Sequence, residues 1–232
     1  MQRMSIPYVS DLKTRFLLVC GAIAGPLFSL LWFITGLART SYDPMRHPVS
    51  SLSIGPSGWT QVSSFLLTGV LTLALAYGLQ DALQSRGGSK GTVLCIAAVG
   101  IGFLGAGLFV TDPVNGYPPG TPLLLMQPTV LGRLHRLFSA LVFLGLPGAG
   151  FTMTRLFTRN REQIWAVYSR SSTIGFLTLF FLTSVGFAQV APFVNYAGLL
   201  QRITLLIGLA WMTFLSIHLL KHPSASQATG RN

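Results

Sequence analysis

Acidic side chains are nearly missing from this sequence. Asp and Glu together number five in 232 residues, and only 9% of residues are charged. Soluble domains carry roughly 25% charged residues. A soluble fold of this length could not cover its surface with so few, and the composition excludes one. Half of the residues are apolar, so most side chains must have the bilayer as their solvent.

Cysteine is scarce as well. Cys20 and Cys95 both lie inside apolar runs, with no CxxC or Cys/His spacing, and they read as small buried thiols without a disulfide. No G-x-S-x-G or H-E-x-x-H occurs, so neither a nucleophile elbow nor a zinc-protease helix is encoded. No apolar run has an acid at its middle, where proton-coupled carriers usually place one. Gly100 to Gly105 matches the G-x-G-x-x-G fingerprint. It sits within an apolar run and not between a strand and a helix, so no dinucleotide cofactor is expected.

What is present is a series of six long apolar runs: 16–37, 59–79, 92–110, 134–157, 172–190 and 199–220. Each approximates the ~20 residues that cross a ~30 Å hydrocarbon core. The predicted architecture is an all-α polytopic membrane protein with six transmembrane helices in one bundle. Residues 1–15 and 221–232 are expected as short cytoplasmic ends around a transmembrane domain at 16–220. The first run exceeds a signal peptide's h-region of about 7–15 residues and reads as a retained helix.

The net charge of +11 would suggest nucleic acid in a soluble protein. Here the cations flank apolar runs, which points to membrane orientation and contact with anionic lipid headgroups, with no nucleic acid. With the N-terminus inside, eleven Lys and Arg fall on the cytoplasmic side. Five (Arg39, Arg46, Arg133, Arg136 and Arg202) fall outside. The asymmetry predicts that both termini lie on the cytoplasmic side of the membrane. Small residues recur at helical spacing, as in Gly21/Gly25, in Ala98/Gly102/Ala106 and in Ser64/Thr68/Thr72/Ala76. They predict close helix packing.

The outer ends carry the informative polar residues. Asp43, Arg46, His47, Asp112, Arg133, His135, Arg136 and Arg202 gather on one predicted membrane face, in proline-rich loops and the adjoining helix turns. The apolar stretch 123–126 is predicted to lie in the interface or against the bundle. Asp112 follows the third run and Arg202 opens the sixth, and each opposes its helix dipole. Pairing Asp112 with Arg133 or Arg136, and Asp43 with Arg46 or Arg202, would relieve this. Asp81 and Glu162 read as residues of ordinary inner loops. Three readings follow: ion pairs that lock the loops, a pocket for an anionic or lipid ligand, or a metal site built from His47, His135, Asp43 and Asp112. Against the last, the arginines would repel a cation. His218 and His222, four residues apart near the end of the sixth run, read as structural.

The stretches Tyr42-Asp43-Pro44, His47-Pro48-Val49-Ser50-Ser51-Leu52 and Gly58-Trp59 resemble the bacterial membrane proteins of domain-of-unknown-function family 998. The glycine-rich third run ending in Asp112-Pro113, and His135, resemble them too. The resemblance covers about residues 16–220. It implies a six-helix integral membrane protein and no particular activity. Binding or transport of an anionic or lipid ligand at the outer pocket is the leading expectation. A metal-dependent membrane hydrolase or a purely structural protein are the alternatives.

Overall fold

The computed structural model describes residues 9–84, 86–88 and 90–222. The expected cytoplasmic ends therefore fall largely outside the described residues. Among the described residues there are six α-helices: α1 (Val9–Leu37), α2 (Trp59–Gln84), α3 (Lys90–Leu108), α4 (Val130–Arg159), α5 (Gln163–Phe187) and α6 (Ala197–Lys221). In hydrocarbon a helix satisfies all of its backbone groups within one segment, so each long apolar run becomes a helix. Pro147 lies inside α4, which continues through it.

Five of the helices are long and apolar enough to cross a membrane, and α5 is not among them. Its first half is interrupted by Ser169-Arg170-Ser171-Ser172-Thr173. The expectation of six equally clear spans is thus reduced to five on composition. α5 is nonetheless 25 residues long.

Each helix packs on the next, and α6 returns to α1, so the bundle closes into a ring. Short links force antiparallel neighbours. The links 38–58, 109–129 and 188–196 share one end, here the cap end, and 85–89 and 160–162 share the other. Glycine sets the closeness of the helices. A Cβ on Gly25 would lie 2.9 Å from the Leu209 carbonyl of α6. One on Gly102 would lie 2.7 Å from the Phe138 carbonyl of α4. The glycine pattern of α3 therefore serves packing, as expected. Cys20 and Cys95 stand on α1 and α3 as free thiols.

The core holds Phe28, Phe103, Phe176, Trp211 and Met153, while Phe16, Ile23, Leu30, Phe33 and Phe181 face outward. Such exposure is what a lipid-facing surface requires.

At the other end of the bundle, Glu162 is no ordinary loop residue. Its carboxylate meets Arg86 Nη1 at 2.9 Å and His218 Nε2 at 2.9 Å. Arg86 Nη2 also donates to the His222 carbonyl at 2.5 Å. Glu162 ties both links of that end to the end of α6, and His218 serves in that tie.

Candidate functional site

The eight polar candidates of the cap end separate into distinct environments. The first is a structural node around Arg202. This side chain is 5% exposed on α6. Its Nη1 donates to the carbonyls of Pro44 (2.6 Å), His47 (3.0 Å) and Gly198 (2.8 Å), and Nη2 donates to the Tyr42 hydroxyl. The Tyr42 hydroxyl in turn donates to Pro48 O at 3.0 Å. Among the described residues no carboxylate lies within ion-pair distance of Arg202. The predicted Asp43–Arg202 and Asp43–Arg46 pairs do not form. Asp43 instead accepts the Met45 N–H on Oδ1 at 2.8 Å, closing an Asx turn. Backbone carbonyls, not carboxylates, hold the buried cation.

Neighbouring contacts complete the node. Leu199 N–H donates to Met45 O at 3.0 Å, and Val49 N–H donates to Gln201 Oε1 at 2.8 Å. The rings of Tyr42, His47 and Tyr117 lie 5.1–5.6 Å apart. Asn115 and Gly116, both at positive φ, turn the second loop back so that Val114 and Tyr117 pair. Asn115 Nδ2 then donates to Arg46 O at 2.9 Å, fastening the second loop to the first. Burial pushes the Tyr42 hydroxyl up to about 12, with the Arg202 charge opposing, so it is a neutral phenol at any working pH.

His47 is buried here, and its Nδ1 accepts the Asp43 N–H at 2.9 Å. That bond needs a neutral ring. Burial lowers its pKa below the ordinary 6.5, against the pull of Asp43. A histidine depressed in the folded state leaves the unfolded chain as the stronger proton binder. Its contribution to stability is complete above 6.5 and falls as the pH drops from there through the folded pKa. We expect melting to fall between pH 7 and pH 5, and to fall less in His47→Gln. The same slope in both proteins would contradict this role for His47.

The second environment is a cavity of about 280 Å³ at the cap end. Ser50, Thr111, Asp112, His135, Arg136, Ser139 and Gln201 supply its polar positions. Its apolar wall includes Phe28, Phe65 and Phe103, one from each of α1, α2 and α3, with centroids 5.1–6.3 Å apart. Val142, Leu205 and the loop residues 123–125 add to that wall. Leu123 and Leu124 are also exposed on the outside of the molecule, as is Met126 beside them, so the loop is both cavity wall and surface.

Within the cavity Asp112 does not pair with Arg133 or Arg136, contrary to the sequence reading. Oδ1 accepts the Thr129 hydroxyl at 2.6 Å and Oδ2 accepts the Thr129 N–H at 3.1 Å. Thr129 is the N-cap of α4, and its hydroxyl accepts Gly132 N–H at 3.0 Å. The loop has carried Asp112 from the end of α3 to the start of α4, where the dipole favours an anion. A Cβ on Gly132 would overlap the carboxylate, so glycine admits it. His135 Nδ1 points its proton at the carbonyls of Ala106 (3.1 Å) and Phe109 (2.7 Å), closing the C-terminal end of α3.

Arg136 is exposed and lines the cavity. Arg133 is exposed and does not, and Arg46, half-buried, lies outside it too. Among the described residues no three His, Cys, Asp or Glu converge as metal ligands, so the four residues weighed for a metal do not meet. Sequence reasoning missed Phe28, Phe65, Phe103 and Gln201. In sequence they are ordinary members of apolar helices.

A family model described as protein of unknown function (DUF998) matches residues 22–218. The chain belongs to the DUF998 family. The match runs from α1 to the last turn of α6, so the cavity and the cap node both fall within the family's own extent. No curated protein and no solved structure matches.

Proposed function

We propose that the protein binds a lipid at the cap-end cavity, with the chain against Phe28, Phe65 and Phe103 and an acidic headgroup at Arg136. The observation that carries this is the cavity itself: an apolar wall drawn from three helices, with a cationic side chain at its polar side. Ligand sites combine these features, at about 300–1,000 Å³. A volume near the lower limit suits one chain. Asp112 and His135 are already committed to helix ends, which leaves Arg136, among the described residues lining the cavity, to meet an anionic group.

The wider setting we propose is the bacterial cytoplasmic membrane, with α5 as the sixth span and both termini inside. At 1.5 Å per residue α5 is roughly 38 Å long, enough to cross, and it packs between α4 and α6. Six crossings return the chain to its starting side, and the Lys and Arg excess lies at that end. The cavity would then open toward the outer leaflet.

Native mass spectrometry of protein released gently from membranes tests the lipid reading. We expect a retained lipid adduct that Arg136→Gln reduces by about tenfold, the loss of roughly 1.4 kcal/mol. Phe65→Trp, which fills the cavity, should reduce it too. Arg133→Gln lies outside the cavity and should leave it intact. Equal retention in all three variants would remove the support for this site.

A further inference from the structure

Hydroxyls inside an apolar helix commonly bond the carbonyl one turn back. This protein does so repeatedly. Thr154 reaches Gly150 O at 2.8 Å, Thr173 reaches Ser169 O at 2.8 Å, Thr204 reaches Leu200 O at 2.7 Å and Ser216 reaches Met212 O at 2.9 Å. The buried face of α2 departs from this pattern. Ser64, Thr68 and Thr72 are at most 1% exposed, and none of their hydroxyls has a partner among the described residues. Gln61, toward the cap end, is fully buried with both amide atoms unpartnered.

The spacing 61, 64, 68, 72 is one face of a helix, about 16 Å long at 1.5 Å per residue. Two further buried groups without partners lie on elements packed against α2: Trp32 Nε1 on α1, and Ser51 Oγ in the turn Val49–Ser53, which packs on both helices. Native interiors leave few polar atoms unpaired, and a row of them along one helix face calls for a partner. The chemistry of that partner can be read from the donors. From Trp59 to Leu79 α2 has no charged residue, and the row offers neutral groups that both donate and accept. Side chains one turn apart are separated by about 5–6 Å, a gap that one water spans with a hydrogen bond to each.

We propose that this face of α2 is a binding track for small uncharged hydrogen-bonding molecules, occupied by a file of water that enters the bundle from the cap end. The track is independent of the lipid reading. It runs beside the cavity, since Phe65 of the cavity wall follows Ser64 directly. Without charges along it, the track favours water over ions. Buffer polyols share the same chemistry, and a polyol-free preparation separates the two sources.

Water-edited solid-state NMR of the protein in bilayers, in polyol-free buffer, tests this. Thr204 is the internal control, because it is fully buried and its hydroxyl is bonded to Leu200 O. We expect magnetisation from water to reach Thr68 and Thr72 several-fold faster than Thr204. The double variant Thr68→Val/Thr72→Val keeps the shape and removes both hydroxyls. It should melt about 4–8 °C below the wild type, whereas Thr204→Val should change little. Transfer to Thr68 and Thr72 no faster than to Thr204 overturns the proposal, whatever the melting shows. A double variant that melts above the wild type overturns it too, because removing dry, unpaired hydroxyls stabilises a core. Transfer that appears only when polyol is added would make the occupant the polyol and also overturn the water file.

Discussion

Arg202→Met should lower the melting temperature by about 10 °C, while Arg133→Met should leave it within about a degree or two. Both changes remove one arginine from the cap end, so net charge does not distinguish them. Their surroundings do. Arg202 is buried, and it binds α6 to the first loop by donating to the Pro44 and His47 carbonyls and the Tyr42 phenol, while a further bond goes to the Gly198 carbonyl of α6 itself. Hydrogen bonds to a charged donor are each worth about 1.5–3 kcal/mol, and a carbonyl left unpaired in a buried place costs about 1–3 kcal/mol. Releasing the desolvated guanidinium returns part of that, which leaves a net loss of about 3–5 kcal/mol. Methionine fills a similar length and offers no donor. Arg202→Lys keeps the charge but not the planar fork, and should recover only part of the loss. Thermal melting in detergent gives the ranking: wild type, then Lys, then Met. If Arg202→Met melts with Arg133→Met, the carbonyl cage is not what holds the loop.

The second large effect concerns the join of α3 to α4. Gly102→Ala should destabilise by about 1–3 kcal/mol, the usual cost of overpacking a close contact. The new methyl would meet Phe138 O at 2.7 Å, Val142 Cγ2 at 2.8 Å and Val142 N at 3.0 Å. Two of those atoms are backbone, so no side-chain rotation relieves the clash, and the helices must separate. Gly175→Ala on α5 is the matched control. Its methyl would find only Ile207 Cδ1 at 3.8 Å, an ordinary contact. There alanine's better helix propensity, worth up to about 1 kcal/mol, should win and stabilise slightly. Opposite signs for one chemical change at two helical glycines is the expected result. A destabilised Gly175→Ala equal to Gly102→Ala would mean that helix propensity and not packing decides. Separation of α3 from α4 would also open the cavity wall between Phe103 and Val142, so Gly102→Ala should weaken lipid retention as well.

The helices were legible because hydrocarbon offers a backbone no other partner. A run of about twenty apolar residues has essentially one solution in it, and the six runs became six helices. The start of α5 was not legible. Ser169 to Ser171 look like the end of a polar link, yet Ser169 is buried and its hydroxyl accepts the Trp211 N–H at 3.0 Å. A polar residue satisfied by a neighbouring helix reads as loop until that neighbour is known. Close packing at Gly21/Gly25 and Gly102 was legible from spacing alone, because only a missing side chain lets two backbones meet.

The sequence by itself determined an all-helical membrane bundle, its glycine seams and one end rich in polar residues and prolines. Tertiary structure decided what those charges do. Arg202 was read as needing an acid, but its partners are carbonyls, which every residue carries and no sequence pattern reveals. Asp112 was read against the helix it follows, and the loop delivers it to the helix that comes after. Dipole arguments depend on which helix end a side chain meets, and the long loop 109–129 leaves that open. The cavity is the furthest from the sequence. Phe28, Phe65 and Phe103 lie on three helices, tens of residues apart, and only the closing of α1, α2 and α3 around one another brings the three rings to a single wall.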